Sequence, residues 1–284
     1  MKIGIVGSAE RAIAWEKHLR THQSVSEVTI AAKLSSIGPI DACFLLDDTP
    51  NRLEHLLETV KMGLHTFLVG PLPTGNTKLI KKVYHAAEEA NVRIQFSHWP
   101  TLNPASKWMA KKIIKPTFMQ VVREMPHAQR TESDSSFDYL WINELAFCLR
   151  WINGAVHHTD LKSVTLNSQN PHALHLFIRF DSGATANIYL NAASQTASHH
   201  RVAADHNYLA DCNALEQTVR LAEEHDSSHL YFKRQSFDAS KSAELAAMEF
   251  IKSIQLKRPT IYNGYHLMEL NKTLDKIDRR LNRV

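Results

Sequence analysis

Residues 63–72 read GLHTFLVGPL, and this short stretch decides how the N-terminal part of the chain is organised. Residues 66–69 (TFLV) form an apolar, β-prone run, and Gly70-Pro71 ends it. Working upstream, Thr49 is a good N-cap and Pro50 a good first helical residue. A helix is therefore expected from Pro50 to about Met62, with Gly63 as its stop. Before it, residues 42–46 (ACFLL) and 28–32 are short strand-like runs. Residues 2–7 (KIGIVG) open the chain as a strand ending in glycine. A helix over 8–20 follows, with Ile13, Trp15 and Leu19 on its apolar side. Downstream, 78–91 reads as helix and 92–96 as strand. Strands alternating with helices from residue 1 to about 115 predict a parallel α/β sheet.

The pattern changes after Pro116. Residues 118–124, 164–168, 174–180, 186–192, 218–221 and 230–233 are strand-like, and Asp181-Ser182-Gly183 signals a hairpin turn. Leu174, Leu176, Ile178 and Phe180 should point to one face, and His175, Phe177 and Arg179 to the other. Helices are expected at about 137–152, 241–256 and 265–281. The fold class is therefore α/β. A truncated Rossmann-like domain with a parallel sheet spans 1–115. A C-terminal α/β domain with a largely antiparallel, open sheet spans 116–284.

Composition narrows the function classes. Of 284 residues, 44% are hydrophobic and 22% charged, an ordinary globular mix. The start, MKIGIVGSAERA, lacks the long apolar region and cleavage site of a signal peptide. No apolar run approaches the roughly 18 residues that span a bilayer. The cysteines (Cys43, Cys148, Cys212) are widely spaced and read as reduced packing thiols, which points to a cytoplasmic protein. The net charge of +4 is mild. The only basic cluster, 276–283 (KIDRRLNR), suits a solvated helix end. No membrane and no nucleic-acid partner is expected.

Residues 63–72 also carry a resemblance. Gly63, His65 and Pro71 stand where the glucose–fructose oxidoreductase / inositol dehydrogenase (Gfo/Idh/MocA) family has a Gly, a Lys-His pair, an apolar strand and Glu-Lys-Pro. The chain resembles that family over nearly its whole layout, most strongly over 1–104. The resemblance implies a dinucleotide-binding domain, NAD or NADP as cofactor, and a small-molecule ligand among sugars, polyols and related compounds. It also implies a homo-oligomer through the C-terminal sheet. The family lysine takes part in proton transfer; here its place is Gly70, and the glutamate's is Val69.

The cofactor segment is similarly altered. A dinucleotide turn needs glycine for the tight turn, for approach of the pyrophosphate and for helix packing. Gly7 supplies the first. Ser8 and Ala9 follow, and Ala9 places a methyl group where the phosphate should approach. The second strand normally ends in an acid for the ribose hydroxyls, and that place falls at Lys33. Lys33 either pairs with the 2′-phosphate of NADP, helped by Ser35 or Ser36, or is a solvated strand end. Asp47, Asp48, Gly70 and Pro71 complete the candidate cofactor set. Family members place a longer stretch before the lysine, and the shortfall lies between Val28 and Asp41. Eight residues, 33–40, separate two presumed parallel strands, where a crossover usually takes a dozen or more. Alternatively, 28–31 is the third strand and the second is lost. Either way about one helix and one strand are missing, and weak or absent nucleotide binding is expected.

In the family, a helix of the second domain carries an aspartate, a histidine four residues on, and a further aspartate. Aligned on Gly154, these become Leu140, Glu144 and Phe147. A two-residue slip brings Asp138 to the first aspartate's place. Glu144 falls inside an apolar stripe of Phe137, Leu140, Trp141, Cys148 and Trp151. There, burial would raise its pKa and suit it to proton transfer, unless it snorkels to water or meets Arg150 or Lys107. His98 follows a strand end and, with Trp99, is a candidate for a polar ring-shaped ligand or for acid–base work. The denser histidine groups, His157-His158-x-Asp160 and His199-His200 with Asp205-His206, lack metal-site spacing, so no metal is expected. Three readings result. The first is a catalytically impaired binding or regulatory relative. The second is an active NAD(P)-dependent oxidoreductase with relocated chemistry at Glu144, Asp138 or His98. The third is an oligomeric partner subunit using the open sheet around Phe177 and Tyr189.

Overall fold

The computed structural model describes residues 1–126, 135–166, 171–226 and 229–281. Of the predicted strand 164–168, Thr165 and Leu166 are not in a strand and residues 167–168 lie outside the described range, as do 282–284 at the end of the basic tail. In chain order the elements are β1 (Lys2–Val6), α1 (Ala9–Arg20), β2 (Glu27–Ala31), β3 (Ala42–Leu46), α2 (Arg52–Lys61), β4 (His65–Val69), α3 (Thr77–Glu89), β5 (Ile94–Phe96) and α4 (Trp99–Leu102). Then come α5 (Pro104–Lys112), β6 (Phe118–Pro126), α6 (Ser135–Ile152), β7 (Val156–Val164), β8 (Ala173–Phe180), β9 (Thr185–Ser194), β10 (Ser198–Ala204) and β11 (Tyr208–Asn213). The chain closes with β12 (Thr218–Asp226), β13 (His229–Ser236), α7 (Ser242–Gln255) and α8 (Gly264–Leu281). No described helix is long and apolar enough to cross a membrane.

The chain forms two compact units, Met1–Leu102 with Ser240–Asn271, and Asn103–Ala239 with Lys272–Val284. This differs from a single cut at 115/116, and the reason is α7. Its Ala246, Ala247, Phe250 and Ile251 are buried in the same core as β1, β3 and β4. Phe250 lies 5.5 Å from Phe44 and 5.6 Å from Phe67, ring centre to ring centre. Such aromatic packing is worth about 0.5–1.5 kcal/mol per pair beyond burial.

The first unit is a five-stranded parallel sheet in the order β2-β1-β3-β4-β5. Because β2 pairs with β1, the second strand is kept, and the alternative register is ruled out. The crossover from β2 to β3 has only a short turn of 3-10 helix at Leu34–Ser36. It is seated directly on the sheet: a Cβ at Gly4 would overlap the Cδ1 atoms of Ile37 and Ile40. Two isoleucines and a missing side chain thus do what a crossover helix does elsewhere. Two details depart from the sequence reading. Ile13 is 50% exposed, and the buried side of α1 is Ala12, Trp15 and Leu19. Helix α2 begins at Arg52, because Thr49 is drawn into a turn by Asp47, whose Oδ1 accepts the Thr49 N–H at 2.8 Å.

The second unit is an eight-stranded mixed sheet, β13-β12-β11-β10-β6-β9-β8-β7. The β6–β9 pair is parallel and the others antiparallel. The alternation expected in β8 is present, with Leu174, Leu176, Ile178 and Phe180 buried. Three strands were not anticipated: β7, β10 and β11. Their histidines, aspartates and asparagines mask the β pattern.

Candidate functional site

Parallel strands end on one edge of the first sheet, and the residues that follow them line it. Gly7 follows β1, Lys33 lies just past β2, Asp47 and Asp48 follow β3, Gly70 follows β4, and Ser97-His98 follow β5. Such an edge is where ligands bind in doubly wound sheets. Gly7 has φ +154°, and a Cβ there would lie 2.7 Å from the Leu46 Cβ, so the turn requires glycine. Ser8 caps α1 by position but makes no side-chain cap bond. Ser8, Ala9 and Lys33 are exposed.

Gly70 is constrained as Gly7 is. Its φ is +149°, and a Cβ would lie 2.6 Å from the Asp48 Oδ1 and 3.1 Å from the Asp47 carbonyl oxygen. The Gly70 N–H donates to the Ser97 Oγ at 2.9 Å, and the Ser97 hydroxyl donates back to the Gly70 carbonyl at 2.7 Å. The place of the family lysine is therefore built for a residue without a side chain. Pro71 beside it is exposed.

The two aspartates are both engaged. Asp47 is 8% exposed. Burial opposes its ionisation, but hydrogen bonds from His55 and Thr49 outweigh this and hold its carboxyl below the usual value. His55, on α2, meets the Asp47 Oδ2 through Nδ1, and its side chain is 47% exposed. Asp48 forms an ion pair with Arg11 from the first turn of α1. Sequence reasoning missed His55, which lies in no recognisable motif; Arg11 sits in the dinucleotide-turn segment 7–12, but its pairing with Asp48 was not foreseen, because it is made across the strand ends.

His98 is a different case. It is fully buried, its ring 4.5 Å from that of Tyr262, with Nδ1 3.2 Å from the Thr101 Oγ1. Its neighbour Thr101 bonds back to the His98 carbonyl at 2.9 Å. Within the first unit it is a packed core residue.

In the second unit, Glu144 on α6 is the hub of a buried polar cluster. It is 0% exposed. The Arg201 Nε and Nη2, from β10, donate to its two oxygens at 2.8 Å each, and the His199 Nε2 lies 3.0 Å from its Oε1. Arg201 also donates to the Ser106 Oγ at 3.0 Å and covers the Phe147 ring at 4.9 Å. Burial would raise the Glu144 pKa, as expected from sequence. The facing Arg201 and His199 more than reverse it, and the carboxyl is held well below its usual range. Glu144 does not snorkel to water; it meets Arg201 and His199. His199 is held below its ordinary value, chiefly by burial. Its neighbour His200 faces the other side and lies 3.2 Å from Asp211, as adjacent strand residues must. Asp138 is exposed and accepts the Trp141 indole N–H at 2.9 Å. Among the described residues, no group of three or more His, Cys, Asp or Glu is arranged to hold a metal ion.

The architecture places the chain among proteins of known shape. Its structural neighbours are dehydrogenases of the Gfo/Idh/MocA type. UDP-N-acetylglucosamine 3-dehydrogenase GnnA from Acidithiobacillus ferrooxidans has a TM-score of 0.81 at 12% identity, covering 95% of this chain and 94% of that chain. The dehydrogenase MviM from Clostridium difficile has a TM-score of 0.78 at 15% identity, covering 100% and 99%. An NAD binding oxidoreductase from Klebsiella pneumoniae has a TM-score of 0.80 at 12% identity, covering 97% and 95%. At such identities the likeness is one of fold. No protein-family model and no curated protein matches the sequence.

Proposed function

We propose that this chain is a binding or regulatory relative of the Gfo/Idh/MocA dehydrogenases that does not run their proton relay. The observation that carries this reading is Gly70, where a lysine would need both a rare backbone conformation and the space held by Asp48. The locked Glu144 supports it. A carboxylate held by a two-pronged arginine and a histidine is a poor proton acceptor at neutral pH. The strand-end residues also fit a dinucleotide badly. Ala9 replaces the glycine of close approach, only a turn of 3-10 helix stands between Ala31 and Ala42, and Arg11 is already paired with Asp48.

Calorimetric titration with NAD, NADH, NADP and NADPH tests the reading. We expect no binding in the micromolar range, and micromolar binding of any of the four refutes it. The open face of the second sheet, with Phe177 and Tyr189 on neighbouring strands, fits a homo-oligomer. Light scattering at graded concentration checks this, and a strict monomer counts against it.

One observation favours a second reading, an NAD(P)-dependent oxidoreductase acting on a sugar or polyol. The half-exposed His55 imidazole is held by the buried, ionised Asp47, an arrangement suited to proton transfer. Turnover of a polyol panel with added nucleotide, abolished by His55→Gln, would establish it in place of the first.

A further inference from the structure

We propose that Asp48, clasped by Arg11, sets the charge preference of the strand-end site: it turns away phosphate-bearing ligands and leaves the site to neutral or cationic small molecules. This rests on the reading that the chain does not use a dinucleotide, and supplies a physical cause for it.

The start of the first helix is where a doubly wound sheet meets the phosphates of its ligand. Arg11, in the first turn of α1, is the cation nearest in sequence to that place. Its guanidinium is committed to the Asp48 Oδ2. The other oxygen of Asp48 faces Gly70, within 2.6 Å of where a Cβ would stand. The carboxylate thus bridges from α1 to the end of β4, beside the Gly7 turn, whose contact with Leu46 brings the end of β3 close.

The charges there are unfavourable to a phosphate. Asp47 and Asp48 contribute two carboxylates, and Asp47 is held ionised. The Arg11 cation is already neutralised, and the adjacent Glu10 is exposed. A pyrophosphate would bring two further negative charges against Asp48 and would have to take Arg11 from it. At contact distances near the surface, one like charge changes affinity by about tenfold or more. The two side chains are 38% and 53% exposed, so the pair contributes little to folding stability. Its effect falls on what binds. It also spares Gly70 a choice: the side chain that fills the lysine's space is an anion.

The test is calorimetric titration of the full chain and of Asp48→Asn with ADP, NADH and adenosine. We expect Asp48→Asn to bind ADP and NADH at least tenfold more tightly than the parent chain, with adenosine unchanged. Adding Arg11→Gln should abolish the gain. If Asp48→Asn gains nothing for ADP and NADH, this proposal fails, and the reading of a chain without nucleotide use stands. If adenosine gains equally, the effect is steric and the proposal also fails. If the parent chain already binds NADH in the micromolar range, both fail together.

Discussion

Replacing Arg201 by methionine removes one charge from the centre of the second unit and leaves its partner behind. Glu144 is 0% exposed and Arg201 4%. The substitution deletes two charge-assisted bonds of 2.8 Å and the 3.0 Å bond to Ser106. The remaining carboxylate keeps only His199, with Arg123 3.9 Å away. Removing one member of such a pair costs about 3–5 kcal/mol, whereas replacing both by apolar residues of similar volume is often near neutral. We therefore expect Arg201→Met to lose about 3–5 kcal/mol, and the double variant with Glu144→Leu to recover most of it. Urea unfolding followed by far-ultraviolet circular dichroism and tryptophan fluorescence measures both. A loss under about 1 kcal/mol for the single variant, or a double variant no more stable than it, refutes the reasoning. The pH dependence has a defined sign. The Glu144 carboxyl is depressed on folding, so its contribution is complete above about pH 4.3 and is lost as pH falls through the folded value. His199 is likewise depressed, favouring the neutral ring. Stability from it is present above about pH 6.5 and declines as pH falls. Arg201→Met relieves the depression of Glu144 and should flatten the acid limb below about pH 4.3.

Installing the family's residues, Val69→Glu with Gly70→Lys, should give no dehydrogenase turnover with NAD or NADP and should destabilise by about 1–3 kcal/mol through backbone strain alone; a stable, active variant in a spectrophotometric assay would overturn the account of Gly70. Gly4→Val should cost about 1–3 kcal/mol by evicting Ile37 and Ile40 from the sheet, and an unchanged urea midpoint would show that the crossover does not rest there. The three cysteines are free and buried. Burial pushes Cys43 to about 12 and Cys212 to about 11, and raises Cys148 as well, so a thiol-specific disulfide reagent at pH 8 should react slowly with native protein and promptly with all three after unfolding.

The layers of this fold were legible where pattern is local. Residues 42–46 and 66–69 are apolar runs bounded by turn residues, and they form β3 and most of β4. The alternation in 174–180 predicted β8 because one face is buried and the other is not. β10 (SHHRVAA) and β11 (YLADCN) were hidden, because their inward residues include His199 and Arg201, which sequence reasoning treats as surface types. The same blindness applied to the site. Glu144 stood out as a carboxylate on an apolar stripe, but its partner lies 57 positions away, and the direction of its pKa shift depends on that partner. Gly70 was legible as a missing lysine; that a side chain there would be strained and would press on Asp48 became visible only with the end of β3 in place. His55 carries no signature, and Arg11, although it sits in the turn segment 7–12, acquires its partner only when the strand ends come together.

The return of α7 to the first sheet has a consequence for synthesis. The cluster of Phe44, Phe67 and Trp15 is made early in the chain, but Phe250 and Ile251 complete it from near the end. At about 5–20 residues per second, the N-terminal sheet must wait on the order of ten seconds for its last hydrophobic layer. During that interval its aromatic face is open to the cell. A fragment ending after α4 would carry all five strands of the first sheet and still lack the residues that close its core. The core of the first sheet is thus complete only once α7 has been made.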